Sequence, residues 1–171
     1  GVSITDDPTR PRGLRSRPFD GEGAHATPLA LVQNGVLQTW LLDSRSARQL
    51  GLTSNGRAAR GTSGPPAPSP TNLAFAPGAL SPTALMADIK EGLFITEMMG
   101  SSINGLTGDY SRGASGFMIR DGQLAEATAE FTLAGNLLDI FASLILANDL
   151  VFRFGTNAPT LRTDALNVAG A

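Results

Sequence analysis

An α+β fold with a mainly antiparallel, barrel-like sheet and about three helices is what this sequence predicts. Three observations carry that prediction. Twenty glycines and 11 prolines in 171 residues interrupt the chain too often for a helical bundle. Asn34-Gly35 and Asp121-Gly122 each stand between apolar runs of strand length, the strongest short signal for a hairpin. Helix-start signatures ahead of an apolar period occur in three places, at Asp43, Ser81 and Asn136.

Taken in order, residues 1–28 read as an extended lead-in from a missing N-terminal part. Pro8, Pro11, Pro18 and Pro28 prevent a continuous helix there. Residues 29–171 form the domain proper. Leu29–Gln33 and Val36–Leu42 make the first hairpin, because both positions of the Asn-Gly turn need positive φ. Asp43 or Ser44 caps a short helix through Leu50, which Gly51 closes. Residues 53–82 hold six prolines among glycines and serines and are expected to lack regular structure, as a surface loop or an arm. Leu73, Ala74 and Phe75 are candidate anchors within it.

Ser81 ahead of Pro82 then caps a helix through Glu91, with Leu85, Met86 and Ile89 on one face. Leu93–Met98 is the next strand, and Gly100–Gly113 a polar, glycine-rich connection. Ser115–Arg120 and Leu124–Leu133 pair across Asp121-Gly122. Asn136 caps the longest helix, Leu137–Ala147, with Asp139 completing a capping box. That helix is apolar almost all round, so it is expected to be buried in the core or against a partner. Val151–Phe154 and Leu161–Val168 supply the last strands.

Charge and composition exclude several functions. Thirteen basic against 15 acidic side chains give a net charge of −2, which argues against direct nucleic-acid binding. The local exception, Arg10, Arg12, Arg15 and Arg17, lies near Asp6, Asp7, Asp20 and Glu22 and reads as a solvated or partner-facing segment. With no cysteine and one histidine, disulfides, cysteine nucleophiles, thiolate zinc sites and histidine-rich metal sites are all excluded. No run reaches the roughly 18 residues of a membrane-spanning helix, and the first residues lack a signal-peptide pattern. No membrane partner and a cytoplasmic location are therefore expected.

Few residues suggest chemistry. His25 has no acidic or histidine neighbour at ligand spacing and reads as a surface or turn residue. Glu126 and Glu130 fall on one face of a predicted strand, the solvated one. Ser101, Ser102, Ser111 and Ser115 have no nearby base to activate them. The run Thr107–Gly116 is the densest cluster of polar, small and aromatic residues. It reads either as a tight connection stabilised by local bonds, or as a loop whose amides and Tyr110 hold an extended peptide. Its glycines, Gly108, Gly113 and Gly116, match neither a phosphate-loop nor a dinucleotide fingerprint.

The order of motifs carries more. Phe19-Asp20-Gly21-Glu22-Gly23, Asn34-Gly35-Val36-Leu37 and Ser46-Ala47-Arg48-Gln49-Leu50-Gly51 are followed by Gly92–Gly100 and by Thr107-Gly108-Asp109-Tyr110-Ser111-Arg112-Gly113-Ala114-Ser115-Gly116-Phe117. Phe131–Asp139 and Asn148-Asp149 complete the series. Together these motifs resemble the C-terminal part of the TldD/PmbA family, in its PmbA (TldE) branch, formerly described as modulators of DNA gyrase.

Twelve of the 13 basic residues are Arg, a bias that suggests a GC-rich bacterial genome; the resemblance implies a longer full chain, in a metallopeptidase family acting on small or unfolded peptides. TldD-like members carry zinc on an HExxxH helix and a later cysteine. PmbA-like members lack those ligands and pair with a TldD-like subunit. Phe152-Arg153-Phe154-Gly155 stands about where the TldD cysteine would fall, so no catalytic or metal residue and no cofactor is expected in this chain. Zinc is expected in the partner instead. Glu97, Asp109, Tyr110, Ser111 and Arg112 are the residues implied to line the peptide space. The alternative is a non-enzymatic, homodimeric peptide-binding or scaffold module. An autonomous zinc peptidase is disfavoured, because zinc needs about three protein ligands.

Overall fold

The structure, a computed structural model, describes residues 1–170, apart from the Ser101 side chain. That side chain and Ala171, the last residue of the domain expected over 29–171, lie outside the described set. In chain order the elements are β1 (Ile4–Asp6), β2 (Leu29–Gln33), β3 (Val36–Leu37), α1 (Ser44–Leu50), β4 (Ala58–Ala59), β5 (Ala67–Pro68) and β6 (Leu73–Phe75). They continue with α2 (Pro82–Met86), β7 (Glu91–Ile103), β8 (Asp109–Arg120), β9 (Gln123–Asn136), α3 (Leu137–Ser143), β10 (Ile145–Leu146), β11 (Thr156–Asn157), β12 (Leu161–Arg162) and β13 (Leu166–Ala169). The α+β class holds, with mainly antiparallel sheets; among the described residues no sheet closes into a barrel. The chain divides into two compact units. One is Gly1–Pro77 with Leu150–Pro159, and the other is Gly78–Asp149 with the segment from Thr160.

Unit 1 is built on a five-stranded sheet in the order β11-β6-β1-β2-β3. The lead-in is more than extended chain: β1 is the central strand, antiparallel to both β2 and β6. Asn34 and Gly35 take φ of 51° and 82°, the paired positive values that a tight hairpin turn needs. The strand after it ends at Leu37 and does not reach Leu42. Asp43 caps α1 by accepting the Ser46 N–H at 2.7 Å, and Gly51 ends it in the left-handed region. Residues 53–82 do contain regular structure: β4 pairs with β5, and β6 joins the main sheet. Proline spacing hid these strands because each is only two or three residues long. Val151–Phe154 is not a strand; β11 follows it and runs parallel to β6.

The centre of unit 1 is polar. Asp6, Arg57 and Thr71 are each 0% exposed. The Asp6 carboxylate accepts from Arg57 Nε, and from the Thr71 N–H and hydroxyl at 2.7 and 2.9 Å. The remaining Arg57 donors reach the carbonyls of Asn55, Gly56, Asp6 and Thr27. Every donor of this buried cation is satisfied, the condition under which a buried ion pair is tolerated.

Unit 2 is built on a four-stranded sheet, β13-β9-β8-β7. Asp121 and Gly122 turn β8 into β9 with φ of 47° and 76°, as the sequence predicts. Gly100–Gly113 is not a connection. β7 runs on to Ile103 and β8 starts at Asp109, so the glycine-rich stretch forms the end of a long hairpin. Farther along β8 close packing demands a glycine: a Cβ on Gly116 would collide with the Phe94 carbonyl. The core is Ala114, Phe131 and Leu133, with Leu93, Ile95 and Leu166 against it.

Both helices of this unit are shorter than expected. α2 ends at Met86, and β7 takes over at Glu91. α3 ends at Ser143 because Leu144 turns extended, with ψ of 127°. α3 is not a buried helix: Ile140 alone is buried, while Leu138 and Phe141 are 74% and 55% exposed. Its cap is Asn136 Oδ1, which accepts the Leu138 N–H at 3.0 Å.

Candidate functional site

Of the sequence-predicted residues, Asp109, Tyr110, Ser111 and Arg112 lie at the turn end of the β7–β8 hairpin and Glu97 farther along it, and the pleat sorts them onto two faces. Tyr110 and Arg112 are two apart on β8 and share the face of buried Ala114. Asp109 and Ser111 point to the opposite face. Glu97 joins that second face, because it stands opposite Ser115 in the ladder. Two places where β7 carries extra residues, between Ile95 and Glu97 and between Met99 and Ser102, set this register by bulging the strand.

Met98 ties the first face together. It pairs with Ala114, and its Sδ accepts from the Tyr110 hydroxyl at 3.2 Å and lies 3.8 Å from Arg112 Nη1. Arg112 Nη2 donates to the Met98 carbonyl at 3.1 Å, while Arg112 Nε is buried without an acceptor. Sequence reasoning missed Met98 as part of this group. The ladder register, which puts it across from a small residue, is the signal that finds it.

At the turn, Asp109 accepts from the Thr107 hydroxyl at 2.6 Å. Asn136 Nδ2 donates to the Thr107 carbonyl at 2.9 Å, so the helix cap also fastens the turn. Ser102, Ile103, Asn104, Asp109, Tyr110 and Ser111 line a shallow hollow of about 400 Å³. Beside it, β7 is an edge strand of 13 residues with β8 on one side only. Among the described residues nothing pairs with its outer edge. The unpaired N–H and C=O groups of such an edge are a template for another extended chain.

The remaining candidates are placed as follows. His25 is exposed and meets Phe19 edge-on, with ring centroids 5.9 Å apart. Glu126 is held by Arg120 Nη2 at 2.6 Å, which keeps its carboxyl below the ordinary range. Glu130 adopts φ of 62° where β9 carries an extra residue opposite Ala114–Gly116. The even spacing of the two glutamates therefore no longer guarantees a shared face.

The described residues do not fit a zinc ion. No group of three or more His, Asp or Glu side chains among them is placed to hold a metal. At Phe152–Gly155, where the resemblance puts the zinc cysteine, the Arg10 guanidinium lies 3.2 Å over the Phe152 ring. Arg15 packs its guanidinium against Gly155. Two cations and a phenyl ring stand where a ligand would be needed.

Residues 1–170 match the family model for the PmbA/TldA metallopeptidase C-terminal domain. The chain is 34% identical over 170 residues to the metalloprotease PmbA of Escherichia coli O157:H7, covering 99% of this chain and 36% of that protein. It is 37% identical over 169 residues to the PmbA homologue of Haemophilus influenzae, covering 98% and 36%. The crystal structure of TldE from Thermococcus kodakarensis shares the fold, with a TM-score of 0.87 at 24% identity over 99% of this chain and 40% of that one. This chain thus spans about a third of the length of the curated relatives.

Proposed function

The chain belongs to the PmbA/TldA metallopeptidase family as its C-terminal domain, and from that premise we propose that it is the peptide-holding, non-zinc subunit of a two-subunit peptidase. The observation that carries this reading is the cationic packing at Phe152–Gly155, which suits no metal. Hydrolysis then belongs to a TldD-like partner that supplies the zinc. The edge of β7 receives an extended peptide through main-chain hydrogen bonds, which ask for no particular sequence. Tyr110 and Arg112 stand beside that edge on the Met98 face, with Glu97, Asp109 and Ser111 on the other.

Co-expression of the full-length protein with a TldD-like subunit tests this, with zinc content and peptide hydrolysis measured for each alone and for the pair. Zinc and hydrolysis confined to the partner or the pair are expected. Both in this protein alone would overturn the reading. Within an active pair, Tyr110→Ala and Arg112→Ala should lower peptide turnover, and unchanged turnover removes both from the site. A second reading, a non-enzymatic homodimeric scaffold, draws on the exposed Leu138 and Phe141 of α3. A stable self-dimer that binds peptide without any zinc partner would favour it.

A further inference from the structure

The arginine loop of unit 1, whose packing on Phe152 and Gly155 supports the reading above, shares no residue with the peptide site proposed there. Residues 10–17 fold as two consecutive turns, closed by Gly13 N–H to the Arg10 carbonyl and Ser16 N–H to the Gly13 carbonyl. Buried Asn72 holds them from beneath, accepting the Arg15 N–H at 3.0 Å and donating to Ser16 Oγ at 2.9 Å. The loop is thus a built surface. Its four guanidinium groups nevertheless make no ion pair: among the described residues the paired arginines are Arg57, Arg120 and Arg162.

The nearby acids that sequence alone offers as partners are all engaged elsewhere. Asp6 is sealed by Arg57 and Thr71. Asp7 accepts from the Thr9 N–H and hydroxyl. Asp20 accepts three backbone N–H groups, from Glu22, Ala24 and Ala58, and Glu22 accepts the Ser44 N–H. Three features of the arginines are then unexplained by folding. Arg12 sits at φ of 58°, a turn position where glycine or asparagine is cheaper. Arg17 buries Nε and Nη2 without an acceptor. Arg10 sits with Cζ 3.2 Å over the Phe152 ring centre, a cation–π contact that positions the guanidinium while using none of its N–H donors.

We propose that this loop binds the carboxylates of an acidic peptide segment, with Arg10 and Arg15 as the forks and Phe152 as the floor under one of them. A planar guanidinium offers paired donors that match a carboxylate, and the cation–π contact lowers the rotamer cost of presenting them. A single-stranded nucleic acid is the less suited occupant, since the chain as a whole carries −2 and would repel a long phosphate track.

The test is fluorescence anisotropy on the full-length protein with three short labelled probes: oligoglutamate, oligoglutamine and oligo(dT). Oligoglutamate should bind ~10-fold or more tightly than oligoglutamine and weaken with salt. Arg10→Gln with Arg15→Gln should remove that preference. Arg12→Gly, which relieves the positive φ and so keeps the loop folded, should weaken it alone. Equal binding of the two peptides, binding unchanged in both variants, or stronger binding of oligo(dT) would each overturn the proposal. None of these outcomes bears on turnover at Tyr110 and Arg112, so the two readings fail separately.

Discussion

The Asp6–Arg57 centre of unit 1 and the hairpin end of unit 2 are both polar, yet they spend their polar groups in opposite ways. In the first, one carboxylate and one guanidinium are fully buried and every donor has an acceptor. In the second, Arg112 reaches a thioether and a carbonyl, leaves Nε without an acceptor, and lies on the strand next to β7, whose outer edge has no partner among the described residues. The contrast separates polarity that organises a fold from polarity that is left available. A closed network costs a great deal to open. An unfinished one costs little to alter and has capacity to accept something else.

The largest expected effect comes from opening the closed network. Arg57→Met in the full-length protein leaves Asp6 as an uncompensated buried charge and should cost about 3–5 kcal/mol, read by chemical denaturation. A loss below about 1 kcal/mol would mean that Thr71 alone satisfies the carboxylate, and would break the comparison at its stronger end. Next in size is Gly116→Ala, whose methyl group meets the Phe94 carbonyl on the neighbouring strand. Overpacking of that kind costs about 1–3 kcal/mol, and the loss should appear first as faster amide exchange along β7.

Asn136→Ala removes both the α3 cap and the bond to the Thr107 carbonyl. About 1 kcal/mol is expected, with turnover falling as well if the turn shapes the peptide space. A pH measurement sharpens the picture in unit 1. Burial pushes the Asp20 carboxyl upward, but the N–H bonds from Ala58, Glu22 and Ala24, helped by Arg17, outweigh it and hold the group below its ordinary value. A depressed folded-state pKa contributes stability above the unfolded value of about 4 that is lost as pH falls through the folded value. Asp20→Asn should flatten the stability profile in that acidic window and leave neutral pH as its reference. The smallest effect is Tyr110→Phe, which should stay within about 0.5 kcal/mol of the parent. A larger loss would show that the hydroxyl's bond to Met98 is structural.

Turn chemistry made much of this fold legible in the sequence. Asn34-Gly35 and Asp121-Gly122 both turn as their residue types require, and Asp43, Ser81 and Asn136 all cap helices. What stayed hidden depends on partners distant along the chain. Ile4–Asp6 is too short to announce itself as a strand, and only pairing with β2 and β6 makes it central. Leu137–Ala147 is apolar enough to suggest burial, but one residue, Ile140, faces the core and the helix stops early. Of the candidate site, Asp109–Arg112 were legible as a run of polar and aromatic residues. Their division between two faces was not, because the bulges in β7 that decide which residue stands opposite Ser115 leave no trace in local composition.

The return of β11 to the main sheet has a consequence for how the protein is made. Unit 1 holds all of the first 77 residues, yet one of its two edge strands lies beyond position 155. During synthesis, β7, β8 and β9 emerge as consecutive hairpins and can assemble from near neighbours, the fast kind of contact. The five-stranded sheet must wait, its β6 edge open, until Thr156 and Asn157 clear the ribosome and Leu73 receives its partner. A nascent chain paused after Asp149 would therefore present a nearly complete second unit and an unfinished first one, with the β6 edge open to aggregation and to chaperones.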